Sequence, residues 1–239
     1  MKKPTNYIKG ETFYHTFFRF LSFHLITKLL WNSTITPNQV TLFRNILTLI
    51  SFYCFYLFDT YSFLIGFFLF QFAELLDSVD GDLARYKNMK SKIGIWLEIF
   101  FDAILTPVWG FIGLLFAYLS YQISGEWIYF LLWGVVAFSS NLEKSFYMHF
   151  RGCSSEFSEA KHDHIYFGFK GESFKTKVRN FLIFSKAWEN QWLVYAGLLY
   201  TLFGVNLFLE VWIWLILLNQ IHWIRLAWNG YKKALAFDS

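Results

Sequence analysis

The chain has 239 residues, of which 56% are hydrophobic and 23% aromatic, and only 16% are charged. Soluble domains carry about 25% charged residues, so lipid is the expected solvent, and the size suits a single membrane domain (1–239) with no second folded domain. The formal charge of +4 is modest, its placement says more than its size, and no nucleic acid is expected as a partner. Cys54 lies in an apolar run and Cys153 in a polar loop, so a structural disulfide is not expected.

Lys2 and Lys3 precede the polar run PTNYIKGE, where the apolar core of a signal peptide would have to begin. No cleavable signal is therefore expected, and the first spanning helix would act as the insertion signal. Residues 11–31 are apolar but interrupted by His15, Arg19, His24 and Lys28, which recur along one slowly drifting side of a helix. That pattern predicts an amphipathic helix lying on the membrane surface; a poorly apolar spanning helix is the alternative. Thr36 before Pro37 fits an N-cap followed by proline at the first helical position. Six spanning helices are then predicted, over about 38–58, 61–85, 91–121, 126–150, 189–203 and 207–228, with Pro107 kinking the third. Lys87 to Lys92 form a basic turn, and residues 151–188 form a polar loop whose second part, 172–188, reads as another surface-lying amphipathic helix.

Topology follows from charge. The connections at 59–61, 122–126 and 204–210 hold Asp59, Glu126 and Glu210 but no Lys or Arg. The positive-inside rule then puts both termini, the basic turn and the long loop on the cytoplasmic side of the inner membrane.

The chemistry concentrates between Asp77 and Asp102, DSVDGDLARYKNMKSKIGIWLEIFFD. Asp77 and Asp80 stand three apart, and Glu98 and Asp102 four apart, so each pair projects from one helical face. Acids inside spanning helices cost roughly 2.5–3.5 kcal/mol each on insertion scales, on the order of 10 kcal/mol for four if nothing compensated. Two divalent cations, Mg2+ or Mn2+, held between the carboxylates would supply that compensation, because hard cations take oxygen ligands.

The pattern Asp77-x2-Asp80-Gly81-x2-Ala84-Arg85-x8-Gly94-x3-Glu98-x3-Asp102 resembles the signature of the CDP-alcohol phosphotransferase family. All spacings agree with the family's D-x2-DG-x2-AR-x8-G-x3-D-x3-D, and Glu98 is the one departure, standing where the family has its third aspartate. The Thr36-Pro37-Asn38 tripeptide ahead of the first spanning helix is also similar to the family. The resemblance implies an all-α, six-span membrane enzyme that moves a substituted phosphate from a CDP-alcohol donor onto an acceptor hydroxyl and releases CMP, as in phospholipid synthesis. It also implies a homodimer.

By position, the resemblance makes Asp77, Asp80, Glu98 and Asp102 the metal ligands and Asp102 the base toward the acceptor hydroxyl. Asp80, Gly81, Ala84 and Arg85 would meet the nucleotide. Gly81 and Ala84 are small where a nucleotide must come close to a helix backbone, and the planar fork of Arg85 suits phosphate or a cytosine edge. The extra methylene of Glu98 carries its carboxylate outward by roughly 1.5 Å, which its helix could absorb by sitting farther back. Arg44 reads either as an acceptor-phosphate ligand or as a snorkelling structural arginine. Glu74, one turn before Asp77, reads as a support for the site or as a helix-packing group. His149, Cys153, His162 and His164 match no common zinc spacing and read as a solvated loop. His222 and Arg225 read as packing and interface anchors.

Two rival functions remain on the residues alone. Intramembrane acids also mark divalent-cation transporters, but the apolar runs beyond these acids offer little to carry an ion across, and the Gly81-x2-Ala84-Arg85 element has no evident use there. A catalytically weakened family member rests on Glu98.

Overall fold

The structure, a computed structural model, describes residues 20–89, 91–105, 110–152 and 189–237, without the side chains of some helical residues, Glu98 and Asp102 among them. Every regular element among the described residues is helical. They fall into two compact units, one holding the helices up to residue 106 and the other those from residue 107 onward.

In the first unit, α1 (Phe20–Leu30) includes a π-helical stretch at Phe23–Thr27. It covers only the second half of the expected surface helix; residues 11–19 lie outside the described set. Its Phe20, Leu25 and Leu29 are exposed, whereas Ile26, Leu30 and the following Trp31 pack on the core of the unit.

Helix α2 (Pro37–Leu57) starts at a capping box in which the Gln39 amide donates to the Thr36 hydroxyl and the Thr36 amide donates to Gln39 Oε1. Proline at the first position needs no amide partner there. Helix α3 (Thr60–Tyr86) is capped by Asp59, whose carboxylate accepts from the Tyr61 and Ser62 amides. It ends where Asn88 takes a left-handed conformation (φ 53°) and the Met89 amide closes onto the Ala84 carbonyl at 3.0 Å. Helices α2 and α3 are both long and apolar enough to cross a membrane. They pack along Val40 and Leu47 from the first and Ala73, Leu76, Val79 and Leu83 from the second. Helix α4 (Lys92–Ile104) then begins at the Ser91 cap.

The second unit holds α5 (Phe111–Ser124), α6 (Ile128–Gly152), α7 (Glu189–Phe203) and α8 (Phe208–Phe237). Buried polar side chains pair across it: the Trp212 indole donates to Ser120, Ser140 donates to Asn219 and Gln220 donates to Ser139. Residues 91–121 were expected to form one kinked helix, but the described residues form two, α4 ending at Ile104 and α5 starting after Gly110. Proline 107 cannot continue an amide ladder, and glycine 110 supplies a flexible start to the second helix. Helix α8 also runs past the expected end at residue 228. The long polar loop, with Cys153, His162, His164 and the amphipathic segment 172–188, lies outside the described residues, as do Lys90, Pro107 and the His149 side chain.

Candidate active site

The candidate site lies within the first unit, where the last turns of α3 run beside the first turns of α2. Four-residue spacing on an amphipathic helix turns one face inward, and on α2 that face carries polar groups: Thr41, Arg44, Asn45, Thr48 and Ser51 are all buried. Two of them reach the acids of α3. Arg44 Nη1 forms an ion pair with Asp77 Oδ1, and the Thr41 hydroxyl donates to Asp80 Oδ2 at 2.7 Å. The pairing is asymmetric. The Arg44 side chain is 5% exposed and that of Asp77 is 52% exposed, so the cation is fixed from within while the carboxylate keeps an open side. A buried guanidinium without a carboxylate would be heavily destabilising, so Asp77 compensates the buried charge of Arg44.

Asn45, next to Arg44 and 1% exposed, has no hydrogen-bond partner among the described residues for either amide atom. Thr48 and Ser51 instead donate to carbonyls of their own helix, those of Arg44 and Thr48.

Arg85 is paired on its own helix. Its Nη2 donates to Asp82 Oδ1 at 2.6 Å, a pair three residues apart on one helix, and its guanidinium lies over Gly81. A Cβ at Gly81 would meet Arg85 Nη2 at 3.4 Å, an ordinary contact. Glycine there leaves the backbone open rather than relieving a clash. Ala84 is half-buried one turn from Asp80, and Glu74 is half-buried one turn before Asp77.

Lys87, at the end of α3, donates from Nζ to the Ser33 and Ile35 carbonyls at 2.8 and 2.6 Å, while Trp31 and Tyr86 stack with ring centroids 4.6 Å apart. The segment leading into α2 is thus tied to the end of α3.

The structure brings Asp77, Asp80 and Arg44 together, and puts Gly81 and Arg85 on the following turn of the same helix. Glu98 and Asp102 belong to α4, but their side chains lie outside the described residues. Among the described residues no three His, Cys, Asp or Glu side chains gather as a metal site. The donor chemistry still fits a hard cation: two carboxylates one turn apart, with Asp77 half open.

Sequence reasoning passed over Thr41 and Asp82. Thr41 was legible as the residue one turn before Arg44, and Asp82 as the acid three before Arg85, the spacing of a helical ion pair.

No curated protein matches the chain. Residues 34–149, which include the Asp77–Asp102 motif and both of its partners on α2, match the family model described as CDP-alcohol phosphatidyltransferase. Over residues 34–149, the part of the chain that carries the motif, the match is to the CDP-alcohol phosphatidyltransferase family.

Proposed function

We propose that the chain transfers a substituted phosphate from a CDP-alcohol to an acceptor hydroxyl with release of CMP, in the synthesis of a phospholipid or related phosphodiester. The observation that carries this reading is the fastening of two motif carboxylates to the neighbouring helix, Asp77 by Arg44 and Asp80 by Thr41. In this reading the chain crosses the inner membrane six times as a homodimer, with a surface helix at its start and the site facing the cytoplasm.

Asp77, Asp80, Glu98 and Asp102 would hold two divalent cations, Mg2+ or Mn2+. When bound, such a pair neutralises a diphosphate and stabilises the entering and leaving oxygens of a displacement. The chain's own residues do the remaining work. Arg44 and Thr41 hold two acids at fixed positions on α3, so these need little reorganisation when substrate arrives. Gly81 and Ala84 give the nucleotide close access to the α3 backbone. Arg85, 39% exposed on its side chain, can exchange its Asp82 partner for an anionic phosphate without moving its backbone. Asp102 accepts the proton of the attacking hydroxyl.

Purified protein with Mg2+ or Mn2+, a panel of CDP-alcohols and a panel of hydroxyl acceptors should release CMP only for a matched pair. CDP-alcohol binding without CMP release for any acceptor would leave a family member that has lost its chemistry. Cation flux into sealed vesicles without CMP release would favour transport.

A further inference from the structure

Gly94 has no side-chain group to offer a substrate, yet it lies in close contact with α2. Ser91 caps α4 by accepting from the Gly94 amide at 2.9 Å. The same hydroxyl lies against the Asn38 carboxamide of α2, 3.3 Å from Nδ2 and 3.4 Å from Oδ1, near enough to bond in either sense. A Cβ placed on Gly94 would stand 2.7 Å from Asn38 Oδ1 and 3.1 Å from Ser91 Oγ. The first is closer than real Cβ contacts come, so a side chain at 94 would push the Asn38 carboxamide aside and break its contact with Ser91.

We infer that Asn38, Ser91 and Gly94 are positioning residues that fix the start of α4 against the start of α2, and so set where Glu98 and Asp102 stand relative to Asp77 and Asp80. Positions 94, 98 and 102 recur every four residues and fall on one face of α4. The face that meets Asn38 at Gly94 is therefore the face that carries both acids. Asn38 belongs to the helix that also supplies Thr41 and Arg44, so one rigid element registers both halves of the motif. The longer arm at position 98 could have been accommodated by an α4 set farther back. The Asn38–Ser91 contact, with Gly94 leaving room for it, holds the start of α4 in against that shift.

The inference rests on the metal-dependent reading above. Its test is Mn2+ affinity, measured by titration without substrate, alongside the thermal midpoint of each full-length variant. Gly94→Ala should weaken Mn2+ binding by roughly 10-fold, the effect expected when a support for metal ligands shifts. Asn38→Ser, which removes the atom that the new methyl meets, should restore most of that affinity in the Gly94→Ala/Asn38→Ser double variant. Asn38→Ala alone, which deletes the tie without adding bulk, should also weaken binding while the midpoint stays near wild type.

Wild-type affinity in a folded Gly94→Ala variant would overturn the inference, as would a loss that Asn38→Ser does not relieve. Should Gly94→Ala fail to fold, undiminished affinity in Asn38→Ala would overturn it. No Mn2+ binding by the wild type would remove the metal-dependent reading itself and the inference with it. Wild-type binding with unresponsive variants would remove the inference alone.

Discussion

The two ends of the α2–α3 pair are built from different materials. Where α2 begins and α3 ends, the helices are joined by polar side chains, Arg44 to Asp77 and Thr41 to Asp80. Toward the other end, Phe55 meets Phe63 and Phe70 with ring centroids 4.8 and 6.2 Å apart, and all three are fully buried. There Gly66 lets the backbones close in: a Cβ on it would lie 2.9 Å from Cys54 Cβ and 3.0 Å from the Ser51 carbonyl oxygen. One end sets charges held in place beside its apolar core of Val40, Val79 and Leu83, and the other is close-packed and apolar. The contrast also bears on transport. The polar stripe of α2 stops at Ser51, its last hydroxyl turned into its own backbone, and the phenylalanine cluster follows. An ion leaving the acids along this pair would meet a closed apolar plug.

If the comparison is right, substitutions at the polar end change chemistry and those at the aromatic end change only stability. The largest effect overall should come from Asp102→Asn on α4, the proposed general base. Loss of a positioned general base lowers turnover by about 10²- to 10⁴-fold, and CDP-alcohol binding should persist. Asp77→Asn should remove activity and metal dependence together, since it takes a proposed ligand and the counter-charge of Arg44 at once. Full turnover in either variant would sink the assignment of roles.

At the aromatic end, Gly66→Val should destabilise the protein by about 1–3 kcal/mol through overpacking, because one of the atoms it meets is backbone. CMP release per folded molecule at low temperature should be unchanged. A Gly66→Val protein with an unshifted thermal midpoint in detergent would show that the helices are not closed as tightly as described. Thr41→Val sharpens the contrast from the other side. Losing one hydrogen bond to a half-buried carboxylate should lower stability by about 1 kcal/mol, and Thr41→Ser should largely retain it. Turnover in Thr41→Val should fall more than stability alone explains, because Asp80 would lose its fixed orientation. Equal turnover in the Val and Ser variants would make Thr41 a packing residue.

Much of this was legible in residues whose signal is local. The Thr36 cap, Pro37 at the first position and the apolar run behind them indicate a helix start near 37, where α2 begins. The motif's spacing placed Asp77 and Asp80 on one helical face without reference to any partner. What could not be read was which side chains from other segments would answer them. Arg44 was left between two roles because a single helix does not reveal what it packs against, and Thr41 carried no charge to draw notice. The split into α4 and α5 was missed because the apolar run continues through Pro107, and hydropathy does not distinguish a kinked helix from two. The arginine of the motif shows the same limit: its family position suggests a phosphate or a cytosine edge and says nothing of the Asp82 carboxylate, three residues away, that it meets in this structure.

The smallest expected effect tests the connection at the aromatic end. Asp59 is exposed, and its carboxyl titrates below the usual aspartate value because it accepts hydrogen bonds from the Ser62 hydroxyl, the Ser62 amide and the Tyr61 amide. A group with a depressed folded value contributes stability above its unfolded value, about pH 3.9, and loses that contribution as pH falls through the lower folded value. Asp59→Asn keeps a good N-cap but cannot titrate. The wild type should therefore hold an advantage in thermal midpoint over Asp59→Asn at neutral pH that shrinks as pH is lowered below about 4. Parallel profiles for the two proteins down to low pH would mean that the Asp59 carboxylate is not engaged by the start of α3. The polar end should be indifferent to this change, because Asp59 and Asp80 sit near opposite ends of α3 and the phenylalanine cluster packs the helix pair between them.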